Sequence, residues 1–243
     1  MPLKNIRFKE LLSLCSSTSR GRAEGFLPLF HFKTVYLKQL NKAVFLFYAV
    51  LMFTITQAQP TQAAAIAALI MEAMNYDCCL YFTGRDHTLN DFHRVMTALV
   101  EAENTQYSYQ NTLVALNKNN EVIGVCVCYD GAQLHFLRQA FIQACRENFE
   151  RDFSNMDDET SGGELYLDSL AVNTKYRGKG IAKKLLQAAI EKGEKLGLPA
   201  SGLLVDKGNP LAERLYLSLG FEYIEDKRWG GHPMKHLQYR YQK

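Results

Sequence analysis

Residues 164–182 read Glu-Leu-Tyr-Leu-Asp-Ser-Leu-Ala-Val-Asn-Thr-Lys-Tyr-Arg-Gly-Lys-Gly-Ile-Ala, and this stretch decides the fold. Glu164–Val172 has the length and apolar character of a buried strand. After a four-residue link, Arg177-Gly178-Lys179-Gly180 leads into a helical stripe through Ile181, Leu185, Ala188, Ala189 and Leu196, which Gly197 stops. A strand feeding a helix through two glycines is an anion-binding arrangement by its own physics. The first helical turn carries unpaired N–H groups and the positive end of the macrodipole. Gly178 and Gly180 let the chain turn tightly and come close to a phosphate, and Arg177, Lys179, Lys183 and Lys184 add positive charge. The same residues also suit a plain strand–helix corner with solvated basic side chains. The pattern lacks the Gly-Lys-Ser/Thr of a nucleotide P-loop and the third glycine of a dinucleotide fingerprint.

Downstream, Ala200–Val205 is a second apolar strand. Asn209-Pro210 opens a short helix carrying Leu211, Leu215 and Leu219, closed by Gly220, and Phe221–Ile224 and His236–Tyr241 are strand candidates. Upstream, Phe53–Gln57 alternates like a half-buried strand. Thr61 is placed to cap an Ala-rich helix ending near Met74, and residues 86–103 form a helix with Asn90 or Asp91 at its start. Thr112–Leu116 and Val122–Tyr129 are strands about an Asn-rich turn, and His135–Phe149 is helical. The run Asn155–Gly163, with Asp157, Asp158 and Glu159, reads as a solvated loop. Strands alternating with helices define an α/β fold with a parallel pair.

The 243 residues are 47% hydrophobic and 22% charged, as in an ordinary globular protein, and a net charge of +3 does not suggest a nucleic-acid binder. The charge is unevenly placed. Residues 1–51 hold eight of the 28 basic and two of the 25 acidic residues, a net +6, which leaves −3 on the other 192. Two domains of unequal kind are therefore expected: a poorly ordered basic extension over 1–51, or an upstream misassigned start, followed by a folded domain over 52–243. The apolar run Ala43–Ile55 is thirteen residues, short of the roughly 20 a membrane span needs, so no membrane partner is expected. Six irregularly spaced cysteines lack zinc or disulfide-framework spacing. They read as buried thiols of a cytoplasmic protein, and no metal site is expected.

Arg177-Gly178-Lys179-Gly180-Ile181-Ala182 resembles the Arg/Gln-x-x-Gly-x-Gly/Ala motif of the GNAT superfamily of N-acetyltransferases. Asn209-Pro210-Leu211-Ala212-Glu213-Arg214-Leu215-Tyr216, with Leu219-Gly220-Phe221, is similar to that family's second signature block, and the opening strand and helix from Ile55 to its first. The resemblance spans Phe53 to the C-terminus. It implies a mixed sheet of six to seven strands, splayed between the fourth (Glu164–Val172) and fifth (Ala200–Val205), with acetyl-CoA as cosubstrate. It further implies that the backbone of the motif Arg177–Ala182 holds the pyrophosphate, and that Leu170, Ala171 and Val172 bind the pantetheine arm through main chain.

Acetyl transfer needs a neutral amine, a base, an oxyanion donor and an acid for the leaving thiolate. The acid suggested by the resemblance is Tyr216, a phenol that stays protonated at neutral pH; packing between helix and sheet is its other reading. Asn209 suits either a helix cap or a cofactor contact. Glu164 lies thirteen residues before Arg177, a spacing that resembles the catalytic glutamate of the family's histone acetyltransferases. Strand alternation would put Asp168 on the same face, with Tyr166 and Leu170, so both acids are candidate bases; both could equally be structural. A backbone N–H near Leu170 is the candidate oxyanion donor. Tyr76, Tyr81, Phe82, Tyr107 and Tyr109 either line an amine pocket or pack the core. The expected activity is N-acetylation of a small-molecule or peptide amine, a homodimer being common among such proteins. The alternative is a non-catalytic CoA-binding regulatory module.

Overall fold

The structure, a computed structural model, describes residues 53–241; the basic stretch 1–51 and its apolar run up to Met52 lie outside the described residues. The strands are β1 (Phe53–Gln57), β2 (Thr112–Asn117), β3 (Val122–Asp130), β4 (Leu165–Val172), β5 (Ala200–Asp206), β6 (Glu222–Trp229) and β7 (His232–Arg240). They form one sheet in the order β1-β2-β3-β4-β5-β7-β6, antiparallel except for the β4–β5 pair. The helices are α1 (Ala63–Met74), α2 (Tyr76–Thr83), α3 (Leu89–Glu101), α4 (Leu134–Phe149), α5 (Ile181–Lys195) and α6 (Pro210–Leu217).

Each sheet face has its own core. On one, Ile66 and Ile70 of α1, Phe92 and Met96 of α3 and Phe141 of α4 pack against Val114, Val125 and Val127. On the other, Ile181, Leu185 and Leu186 of α5 pack against Leu165, Leu167, Leu203 and Leu237. Burying an apolar stripe against a half-apolar strand face is what holds these layers together. No single helix among the described residues is long and apolar enough to cross a membrane.

The β4–β5 pairing decides where a ligand can enter. It consists of Leu165 opposite Ser201 and Tyr166 opposite Gly202, and then stops. From Leu167 onward β4 keeps β3 as its neighbour and β5 keeps β7, so the two strands part as the splayed pair expected from the sequence. The edge of β4 that faces the gap is left with unpaired backbone groups.

Local chemistry differs from expectation at several ends. Thr61 does not cap α1: a 3-10 turn, Pro60–Gln62, precedes it, and Gln59 and Gln62 form the reciprocal cap. The cap of α3 is Thr88, whose side chain pairs with the N–H of Asp91 while Asp91 answers the N–H of Thr88. Between the two expected helices the chain forms a further one, α2, started by Asn75 accepting from the N–H of Cys78. The hairpin β6–β7 is longer than its apolar residues suggested, because an edge strand rich in Glu, Asp, Lys and Arg carries little hydrophobic periodicity. Cys79, Cys126, Cys128 and Cys145 are buried free thiols and Cys78 is half-buried; Cys15 lies outside the described residues.

Candidate active site

A cavity of about 990 Å³ opens where β4 and β5 part. At one end stands the N-terminus of α5. Gly178 and Gly180 have φ of +74° and +79°, which glycine adopts without the strain a side chain would bring. Gly180 is the N-cap residue and has no side chain to satisfy the first-turn N–H groups, which therefore remain available to a ligand. Lys183 lines the same end. An uncapped, positively polarised helix start with open space above both glycines fits a diphosphate.

Leu170, Ala171 and Val172 line the cavity along the free edge of β4, and Gly178, Gly180, Ile181, Ala182 and Asn209 also line it. Lys179 is the exception among the proposed cofactor residues. Its ammonium donates to the Lys175 carbonyl at 3.3 Å and sits 4.8 Å from the ring centre of Tyr176, which lines the cavity while Lys179 does not. Arg177 reaches the cavity, but its guanidinium is engaged by the Val172 carbonyl at 2.9 Å and by Glu72 at 3.3 Å. That links the end of β4 to α1. Asn209 caps α6, accepting from the N–H of Ala212 at 3.1 Å, and lines the cavity as well, so its two readings are compatible.

Tyr216, on α6, is half-buried, lines the cavity and packs on Phe221. Burial pushes its phenol up to about 12, so it stays protonated at neutral pH.

The two candidate bases are separated. β4 carries a bulge: Val127 faces Ser169 but Cys128 faces Leu167, which leaves Asp168 as an extra residue. The bulge breaks the expected alternation. Tyr166 and Ala171 face the helical layer of α1, whereas Leu170 turns to the α5 side, so Leu170 does not share a face with Asp168 and Tyr166. Asp168 lines the cavity. Glu164 lies before the strand, buried, outside the cavity lining, and accepts from Thr160 Oγ1 at 2.7 Å, His236 Nε2 at 2.9 Å and Gln238 Nε2 at 2.7 Å. Burial alone would raise its pKa, but these hydrogen bonds outweigh it and hold the carboxyl below its ordinary range.

The loop read as solvated surface instead supplies a buried acid. Glu159 is 4% exposed and lines the cavity beside Asp168, with which it shares the Tyr129 hydroxyl and Gln106 Nε2. Its Oε2 accepts from Trp229 Nε1 at 2.8 Å and from the buried Arg138 at 3.1 Å. Asp157 accepts from the Gly230 N–H at 3.0 Å, and Asp158 pairs with Arg138 at 3.0 Å. Arg138 lies on the expected α4 helix, and an arginine at a core-facing position was the one sequence signal that its acidic partners would be buried. Among the five aromatics considered for an amine pocket, only Tyr107 lines the cavity; Phe82 packs with Phe92, Phe141 and Phe153 in the core, and Tyr76 and Tyr81 are exposed.

A mixed sheet parting over an uncapped helix start on one side and buried acids on the other is the architecture of the N-acetyltransferase (GNAT) fold. The sequence profile of the acetyltransferase (GNAT) family matches residues 85–221, and the chain belongs to that family, whose acyl donor is acetyl-CoA. It is 32% identical over 80 residues to the spermine/spermidine N(1)-acetyltransferase of Bacillus subtilis, covering 32% of this chain and 53% of that protein. It is 39% identical over 61 residues to the [ribosomal protein bS18]-alanine N-acetyltransferase of Haemophilus ducreyi, 25% of this chain and 42% of that protein. The chain thus spans about half the length of the curated relatives it matches. A crystal structure described as an acetyltransferase superposes with a TM-score of 0.65 at 27% identity, over 77% of this chain and 98% of that one.

Proposed function

We propose that the protein transfers an acetyl group from acetyl-CoA to a primary amine of a small molecule or peptide. The observation that carries this reading is continuity: one cavity runs from the α5 N-terminus, along the free edge of β4, to Tyr216 and Asp168. The named relatives acetylate amines of both kinds, a polyamine and a protein alanine.

In this reading acetyl-CoA supplies an activated thioester. The first-turn N–H groups of α5 and Lys183 bind its diphosphate, and the β4 edge orients the pantetheine arm. Asp168 receives the proton that an alkyl ammonium, with a pKa of about 10.4, must lose before it attacks. Tyr216 stands on the cavity wall with its proton in place to give to the departing sulfur. The Lys179 ammonium and the Glu164 carboxylate have no direct part, since neither residue lines the cavity. A non-catalytic CoA-binding module would need neither the acid nor the phenol that line this one.

The test is release of free CoA thiol from acetyl-CoA by the purified protein, with spermidine, n-butylamine and an alanine-initiated peptide as acceptors. Thiol release that depends on an amine supports the reading. CoA binding with no release on any of the three overturns it in favour of the binding module.

A further inference from the structure

The acceptor end of the cavity is built from groups that want hydrogen-bond donors and positive charge, and it has less of both than two carboxylates need. Glu159 Oε1 and Asp168 Oδ2 share the same two donors: the Tyr129 hydroxyl, 3.0 and 3.2 Å away, and Gln106 Nε2, 3.4 and 3.1 Å away. The hydroxyl has one proton and can serve only one carboxylate at a time. Ser169 donates to Asp168 Oδ1 at 2.7 Å. Arg138 is the buried cation beside the pair, and it is divided among Glu159, Asp158 and the carbonyls of Met156 and Asp157. Gln106 is 3% exposed and lines the cavity, and its Oε1 has no partner among the described residues.

An acid pair with less than one compensating charge, beside an orphaned buried carbonyl, is costly unless a ligand completes it. An anion is repelled, and an alcohol brings one donor and no charge. A primary ammonium brings one charge and three N–H donors, matching what is missing. We propose that Glu159, Asp168 and the side-chain carbonyl of Gln106 form the receiving site for a primary alkylammonium acceptor, the two carboxylates together taking its first proton. This rests on the acetyl-transfer reading and adds to it the charge state in which the acceptor is bound and a second acid.

The surroundings support a shared proton near neutral pH. Burial, with the charge of Asp168, raises Glu159 to about 7, and burial raises Asp168 as well, so the two titrate as a unit. The other groups facing them are Arg138 from α4, Tyr129 from β3, Tyr166 and Ser169 from β4, Trp229 from β6, and Gln106 and Tyr107 from the segment before β2. The three tyrosines are held protonated by burial. The ammonium gives one proton to the pair, and the nitrogen lone pair then forms the bond to the thioester carbon. Breaking the C–S bond leaves its electron pair on sulfur, which takes the Tyr216 proton; the second proton lost by nitrogen restores the phenol. The pair returns its proton to water.

The experiment compares wild type and Glu159→Gln, which keeps an acceptor for Trp229, using whichever of spermidine, n-butylamine or the alanine-initiated peptide is turned over. The variant is expected to raise KM for the amine about tenfold. It should also move the acid limb of kcat/KM to lower pH, because Asp168 no longer faces a second carboxylate, with acetyl-CoA affinity by calorimetry unchanged. An unaltered amine KM and acid limb overturn the inference while leaving acetyl transfer intact; absence of transfer by the wild type defeats the underlying reading instead. If the variant does not fold, inhibition of the wild type decides. n-Butylammonium competing with the acceptor at least tenfold better than n-butanol supports the site, and equal inhibition overturns it.

Discussion

The carboxylate of Glu164 occupies the space that a side chain at residue 202 would need. Gly202, on β5, is the residue paired with Tyr166 at the last rung before β4 and β5 part, and a Cβ there would fall on the Glu164 carboxyl group. The acid is fixed by Thr160, His236 and Gln238, so it has nowhere to move. A pinned carboxylate over a glycine thus marks where pairing ends and the cavity begins.

Gly202→Ala is therefore expected to lower stability by about 2–4 kcal/mol, by displacing a buried, hydrogen-bonded charge. Urea unfolding monitored by circular dichroism measures it. A loss below about 0.5 kcal/mol, the size of an ordinary surface substitution, would mean that Glu164 is not fixed as described.

Glu164→Gln should change stability with pH, not turnover. A carboxyl held below its ordinary pKa in the folded state stabilises the fold above the unfolded pKa of about 4.3, and that contribution is lost as pH falls through the folded value. The gap between wild type and variant should be about 2 kcal/mol at pH 7 and should close on acidification. Turnover of the folded variant is expected within about threefold of wild type, well short of the loss that removing a general base brings; a hundredfold fall would restore Glu164 as a base.

Gly180→Glu should abolish measurable binding of CoA by calorimetry. It puts a side chain on a residue with φ of +79° and a negative charge beside the proposed diphosphate site. The new Cβ meets open space, so thermal unfolding should show a folded protein. Normal affinity in that protein would refute the placement of the diphosphate.

Tyr216→Phe removes the hydroxyl proposed as proton donor and keeps the ring that packs on Phe221. The expected result is a fall in kcat of about a hundredfold, with acetyl-CoA affinity within about twofold. Because burial holds the phenol up to about 12, wild-type activity should show no basic limb from its ionisation below pH 10. An unchanged kcat would make Tyr216 a packing residue.

Much of the fold is legible in the sequence because its signals are local. The glycines at 178, 180 and 197 mark turns that need positive φ, and all three have it. The apolar stripe of α5 and the largely apolar β4 announce a strand–helix unit before any partner is known. Where the signal is not local, the reading falters. α2 is short and half-exposed and β6 is a charged edge strand, so neither carries a clean period. The cap of α3 passes from Asp91 to Thr88 because Asp91 is the partner of the cap, one turn along.

Sequence alone determined the α/β class, the parallel pair and the glycine-turned helix start, since each follows from residues close together along the chain. Tertiary structure decided the acceptor end. A bulge placed Asp168 and Leu170 on opposite faces, and alternation cannot show it because a bulge is a property of two paired strands. Glu164 was drawn into contacts with β7, more than 70 residues away. Glu159, in a run of acids that looks solvated, was buried by Arg138 and Trp229, which are 21 and 70 residues distant. Whether a charge meets water or a partner depends on which distant elements close over it, and only the folded chain specifies that.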